Sequence, residues 1–192
     1  LVTHNTIRNN KAARGGGVCC NNDAKVFLYN NLIANNSATA NGGGVYIEYS
    51  DVTIINCTIA DNFAGVYGGG IYAYQFNASK PCSFLVTNSI IWGNSTPSNV
   101  GNQIYVYNIP GPVEISYSDV AQGADDIEDQ MGIIIWGDGM LDTNPLFAAD
   151  YILQGNSPCI DAGNWREVFW QLDLNSRARF QNKGIDMGCY EQ

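Results

Sequence analysis

Hard oxygen donors are densest in the run Asp125-Asp126-Ile127-Glu128-Asp129, with Asp138 and Asp142 downstream. Calcium takes several carboxylate and carbonyl oxygens of this kind. Asp125, Asp126, Glu128 and Asp129 are therefore the candidate calcium ligands; their spacing is not that of an EF-hand, and a plain acidic loop is the competing account. Glycoside hydrolysis would need two or three carboxylates around one oxygen, and proton abstraction would need a base facing the substrate. The upstream carboxylates Asp23, Glu48, Asp51 and Asp61 fall in different columns of the chain's repeat, and no carboxylates stack beneath the basic group Arg8, Lys11 and Arg14. His4 is the only histidine and no CxxC pair occurs, so a zinc site is not expected.

The elements that would carry these groups follow from a repeat. Gly15-Gly16-Gly17, Gly42-Gly43-Gly44 and Gly68-Gly69-Gly70 return at intervals of 27 and 26 residues, and such a period marks a stacked-repeat architecture. A second phrase recurs as Leu32-Ile33-Ala34-Asn35-Asn36, Thr58-Ile59-Ala60-Asp61-Asn62 and Ile90-Ile91-Trp92-Gly93-Asn94. Apolar and polar columns alternate at period two, the pattern of strands with one buried face. Val18/Val45/Ile71/Ile104 and Cys20/Ile47/Ala73/Val106 should face inward in one strand. Val26/Val52/Phe84/Val113 and Leu28/Ile54/Val86/Ile115 should do so in a second, and a third is anchored by Ile7/Ile33/Ile59/Ile91/Val120. Three short strands per coil describe an all-β solenoid, a parallel β-helix in which successive coils share one core.

Twenty-three asparagines fall largely at fixed repeat positions. Asn10, Asn36, Asn62 and Asn94 should stack as a ladder in one bend. His4, Asn30, Asn56 and Asn88 should stack in another, where Asn tolerates left-handed backbone and can bond from coil to coil. Facing outward, Tyr46, Tyr72 and Tyr105, with Tyr74 and Tyr107 beside them, should form an aromatic strip. Such a strip can stabilise the sheet by itself, or receive sugar rings or a protein neighbour. Residues 1–120 are read as coils, with a loop inserted between Tyr74 and Cys82, and residues 121–192 as a non-repetitive cap on the last coil, whose open edge would otherwise invite pairing.

A net charge of −9 with no basic stripe argues against nucleic acid, and no apolar run reaches membrane-spanning length, so no membrane insertion is expected. Six cysteines suit an oxidising compartment. Cys159 and Cys189, both in the tail, are the expected disulfide; the pairing of Cys19, Cys20, Cys57 and Cys82 stays open. The chain begins at Leu1 inside a repeat already under way, which suggests a processed piece and leaves a backbone edge on which a second copy could dock head to tail.

The glycine triplet followed by an apolar residue and Tyr, and the Ile-x-x-Asn phrase, resemble the repeats of polymorphic outer membrane proteins and other right-handed, pectin-lyase-like β-helices. Further on, Tyr117-Ser118-Asp119-Val120, Asn144-Pro145-Leu146-Phe147, the stretch from Tyr151 to Gly163 and Gly184-Ile185-Asp186-Met187-Gly188-Cys189-Tyr190-Glu191 resemble the C-terminal half of choice-of-anchor Q β-helix proteins. That resemblance implies a right-handed helix and a secreted, often surface-attached protein. Asp161, Asp173, Arg177 and Asp186 match the family's recurring polar positions, where ion pairs would fix the cap. The expected function is structural or adhesive at the cell exterior, without catalysis or cofactor (calcium aside), with self-association, other surface proteins or glycans as partners. The alternatives are a polysaccharide lyase or glycoside hydrolase on the same scaffold, or a passive glycan-binding module.

Overall fold

The computed structural model describes all residues except 77–81, 124–126, 131–133, 169 and 181–183, and the backbone alone of 127–130. Its strands form four sheets of six, five, three and five strands. Every strand pair within them is parallel. The coils visit the sheets in a fixed order, the later ones passing from the second sheet to the fourth without a strand in the third. In the second coil these are Lys25–Tyr29 in the first sheet, Leu32–Ala34 in the second, Ser37–Ala38 in the third and Val45–Glu48 in the fourth.

The third sheet is an addition to the three strands read from the sequence. Its members are two residues long, too short for an alternating pattern to show. The coils also run past residue 120. Ile127–Gln130 pairs with Ile104–Tyr107 and Ile134–Trp136 with Val113–Ser116, so part of the acidic run read as a loop is the last strand of the fourth sheet.

Identical register explains the core. Ile7, Ile33, Ile59, Ile91 and Val120 are successive partners in the second sheet. Four of them join Ile47, Ile54, Ile71, Phe84, Ile104 and Ile115 in one buried cluster, with Ile7 half-buried at its end. Each coil covers the apolar residues of the coil before it, so no coil could hold this core alone.

Glycine has two tasks in the triplets. The first residue takes the left-handed conformation (Gly42 φ 68). The second lies against backbone: a Cβ on Gly16 would fall 2.5 Å from the Gly43 oxygen and 2.7 Å from the Ser37 carbonyl carbon. Side chains there would force adjacent coils apart.

The Asn10, Asn36, Asn62 and Asn94 amides form a continuous chain, with Nδ2 to Oδ1 distances of 3.0, 3.0 and 2.9 Å, and Gln103 receives the last Nδ2 at 2.8 Å. In the other bend the left-handed backbone is present at His4, Asn30, Asn56 and Asn88, with φ of 55, 51, 50 and 51. One pair bonds from coil to coil as expected, Asn30 Nδ2 to His4 Nε2 at 3.3 Å, while Asn56 and Asn88 turn to tail carbonyls and leave the linking of their coils to others. That work falls to the next residue, where the backbone N–H of Asn31, Cys57 and Ser89 reaches Cys57 Sγ, Ser89 Oγ and Ser118 Oγ at 3.5, 3.2 and 3.1 Å.

The tail starts on the last coil and then lies along the flank of the rod. Leu141 bridges to Asp119, and Met187 and Cys159 pack with Ile90. Tyr190 and Cys189 pack with Leu32 and Ala34, and Leu172 O meets His4 Nε2 at 3.2 Å in the first coil. It therefore covers the outer face of the second sheet over most of the rod, beyond the end cap expected from the sequence. The reason is in that sheet: Leu32, Ile90, Ala34, Ala60 and Trp92 flank the core-facing column on the other face, and a sheet apolar on both faces must be covered on both.

Candidate functional site

One groove lies on a face the tail leaves open, and another is walled in part by the tail. The first runs over the fourth sheet. Tyr46, Tyr72 and Tyr105 are cross-strand partners, and their rings stack at centroid distances of 5.4 and 5.4 Å with interplanar angles of 5° and 8°. Tyr67 stacks on Tyr105 at 4.5 Å, and the Arg14 guanidinium lies 5.6 Å from the Tyr46 centroid. Stacking consumes the ring faces, so only 3%, 8% and 6% of the three residues is exposed. Alternation placed them on the outer face; it did not reveal that they present edges. Tyr74 and Tyr107 form a second, half-buried column at 5.6 Å. Together with Arg14, Asn41, Glu48, Tyr67 and the exposed Phe76, these rings line a groove of about 470 Å³. Burial pushes the Tyr46 phenol up to about 12, with Glu48 adding to the shift, so it stays a protonated donor at neutral pH.

The second groove, about 300 Å³, lies on the outer face of the first sheet. Thr53, Leu85 and Thr87 form its floor, and Glu114, Asp138 and Glu167 bring three carboxylates to its lining. This gathering joins a coil, a turn and the tail, so no repeat column contains it. Among the described residues no three His, Cys, Asp or Glu side chains are close enough to share a metal ion. Of the calcium candidates, Asp125 and Asp126 lie outside the described residues, as do the side chains of Glu128 and Asp129. Asp142 accepts the Gln122 backbone N–H at 2.8 Å, Asp51 accepts Ser83 N at 2.7 Å, and Asp61 accepts the Tyr151 hydroxyl at 2.8 Å.

The charges of the tail hold its own fold together. Asp173 accepts Arg177 N and Glu191 N at 2.7 and 2.8 Å. Asp186 accepts Asp161 N and Gln192 N at 2.9 and 2.8 Å. Arg177 reaches the Glu191 carbonyl at 3.1 Å. The buried ion pair is one the sequence did not single out: Arg179 to Glu191 at 2.7 Å, with Arg179 also donating to Asn30 at 2.6 Å. Burial pushes the Glu191 carboxyl up, and Arg179 at 2.7 Å opposes that shift and keeps it ionised.

The expected Cys159–Cys189 disulfide is not formed. Each thiol sits in a separate cluster on a different coil, Cys159 donating to Asp119 at 3.2 Å and Cys189 to Thr58 at 3.4 Å. Burial raises both thiols, Cys189 to about 12, so they remain neutral core groups and weak nucleophiles.

Asp119 is fully buried, accepts Thr143 N at 3.1 Å, and is raised to about 6 by loss of solvent. The unfolded chain releases this proton near 3.8. The contribution to stability is therefore full below that pH and is lost as pH rises through about 6, amounting to about 2–3 kcal/mol. Asp119→Asn keeps the acceptor for Thr143. Urea denaturation at mildly acidic and slightly alkaline pH should show the variant gaining on the wild type by about that amount as pH rises; a pH-independent difference would refute the assignment.

With stacked parallel coils, ladders and one continuous core, the fold defines a parallel β-helix. The chain matches the family model described as "Right handed beta helix region" over residues 1–140 and belongs to that family. No curated protein and no solved structure matches it.

Proposed function

We propose that the protein is a rigid, non-catalytic rod acting outside the cell as a structural or adhesive element, in the manner implied by its resemblance to choice-of-anchor Q proteins. One observation carries this. The tail is folded on itself by Asp173, Asp186 and the Arg179–Glu191 pair, and it is tied across successive coils by Arg179 to Asn30, by Asn56 to the Asp186 carbonyl and by Asn88 to the Asn164 carbonyl, contacts that brace the solenoid against bending and fraying. Exterior placement is supported by that resemblance and by a chain poor in charge, with 14% Asp, Glu, Lys and Arg. It takes no support from disulfides, which are absent among the described residues.

The acidic groove favours a second reading, since Glu114, Asp138 and Glu167 are the groups a glycosidase on this scaffold would use. Incubation with neutral and acidic polysaccharides, with and without calcium, separates the two. The expected result is no new reducing ends and no unsaturated uronate absorbance. Turnover that Glu114→Gln, Asp138→Asn or Glu167→Gln abolishes would replace the scaffold reading with the enzymatic one.

A further inference from the structure

We propose that the tyrosine-floored groove on the fourth sheet binds a linear, neutral, β-linked polysaccharide laid along the rod, with successive sugars over successive coils. The first support is direction. Tyr46, Tyr72 and Tyr105 occupy one register column, and Glu48, Tyr74 and Tyr107 occupy the column two residues on. A groove bounded by these columns therefore runs parallel to the solenoid axis, and it spans several coils.

The second support is period. Ring centroids repeat every 5.4 Å, so similar groups recur at a spacing close to the rise of one residue in an extended β-linked glycan. A ligand that repeats at the period of its receptor makes the same contact at each coil, and those contacts reinforce one another. Coiled α-linked glucans do not keep this straight path.

Charge and chemistry set the class. Arg14 and Glu48 are the only charged groups among the described residues lining the groove, and they are of opposite sign. A polyanion would find no net attraction there and would meet a chain of net charge −9; the same charge opposes a second copy of this chain. Phenolic oxygens both donate and accept, and Asn41 adds an amide, which suits hydroxyl-rich ligands. The faces that Tyr46 and Tyr72, or Tyr74 and Tyr107, turn to each other are not open to sugars, so ring-face contact falls to Phe76, 74% exposed, and the half-buried Tyr74 and Tyr107 offer their ring edges and hydroxyls. The volume, about 470 Å³, lies within the range of small-ligand sites.

This site is independent of the scaffold reading, because a rod that binds no glycan can still be a scaffold. Isothermal titration calorimetry with cello- and chito-oligosaccharides from disaccharide to hexasaccharide tests it, with maltohexaose and oligogalacturonate as comparators. Affinity should rise roughly tenfold or more with chain length. Tyr74→Ala and Tyr107→Ala should each weaken the hexasaccharide by about fivefold to tenfold, while Tyr74→Phe, which keeps the ring, guards against a folding artefact and should weaken it less. Any of four results overturns the proposal: no saturable binding of either β-linked series; binding unchanged by both alanine variants; preference for maltohexaose or oligogalacturonate; or dimerisation of the wild type that Tyr107→Ala abolishes, which would assign the groove to a second copy.

Discussion

Glu191→Ala is expected to lower the free energy of unfolding by about 3–5 kcal/mol, because it strands a buried cation. Arg179 has no exposed surface. Its guanidinium is held by Glu191 at 2.7 Å and Asn30 at 2.6 Å, and its Nε has no hydrogen-bond partner among the described residues. Without the carboxylate, one neutral amide oxygen would have to satisfy a full charge in a dry site. The same truncation frees the Asp186 N–H, which donates to both Glu191 oxygens. Replacing both members, as Arg179→Met with Glu191→Leu, should cost far less, since apolar groups of similar volume need no partner. At the surface, Arg8→Ala, which removes the exposed pair with Asp150, should change stability by less than about 1 kcal/mol. Urea denaturation of the set measures these differences. A Glu191→Ala cost no larger than that of Arg8→Ala would show that the tail is not clasped at this pair.

The contrast between these pairs shows where sequence reasoning ran out. Column positions were legible because a fixed period forces Ile33, Ile59 and Ile91 into one register, and the alternation then tells inside from outside. Residues that share a task without sharing a type were not legible. Asn31, Cys57, Ser89 and Ser118 form a second ladder, but an amide, a thiol and two hydroxyls do not look like one column. The outer residues Leu32, Ile90 and Trp92 did signal a covered face, in a strand too short for the pattern to stand out. The tail has no period, so nothing local places Arg179 beside Asn30 or Glu167 beside Glu114. Placing Cys159 and Cys189 together in the tail made a bridge look natural. Their separation follows from the tail running along the rod, which puts them over different coils.

Asn62→Ala should cost about 3–5 kcal/mol, far more than Asn10→Ala in the same column. The difference lies in what each amide holds. Asn62 is fully buried. Its Oδ1 accepts the backbone N–H and the Nδ2 of Asn36 at 2.9 and 3.0 Å, while its Nδ2 donates to Ile33 O at 3.0 Å and to Asn94 Oδ1 at 2.9 Å. Truncation leaves the Asn36 N–H and half of the Ile33 carbonyl's bonding unmet inside the rod, each costing about 1–3 kcal/mol, and adds a cavity where the amide was. Asn10 is exposed and only donates to Asn36, so water replaces what it loses. Asn62→Asp discriminates further: the volume is kept, but an oxygen now faces Ile33 O and Asn94 Oδ1, and the loss should equal or exceed that of alanine. Because each coil contacts only its neighbours, a central defect also weakens the coupling between halves of the solenoid, and unfolding of the Asn62 variants should broaden. Equal midpoints and slopes for Asn10→Ala and Asn62→Ala would mean that the core alone, and not the ladder, sets the cohesion of the coils.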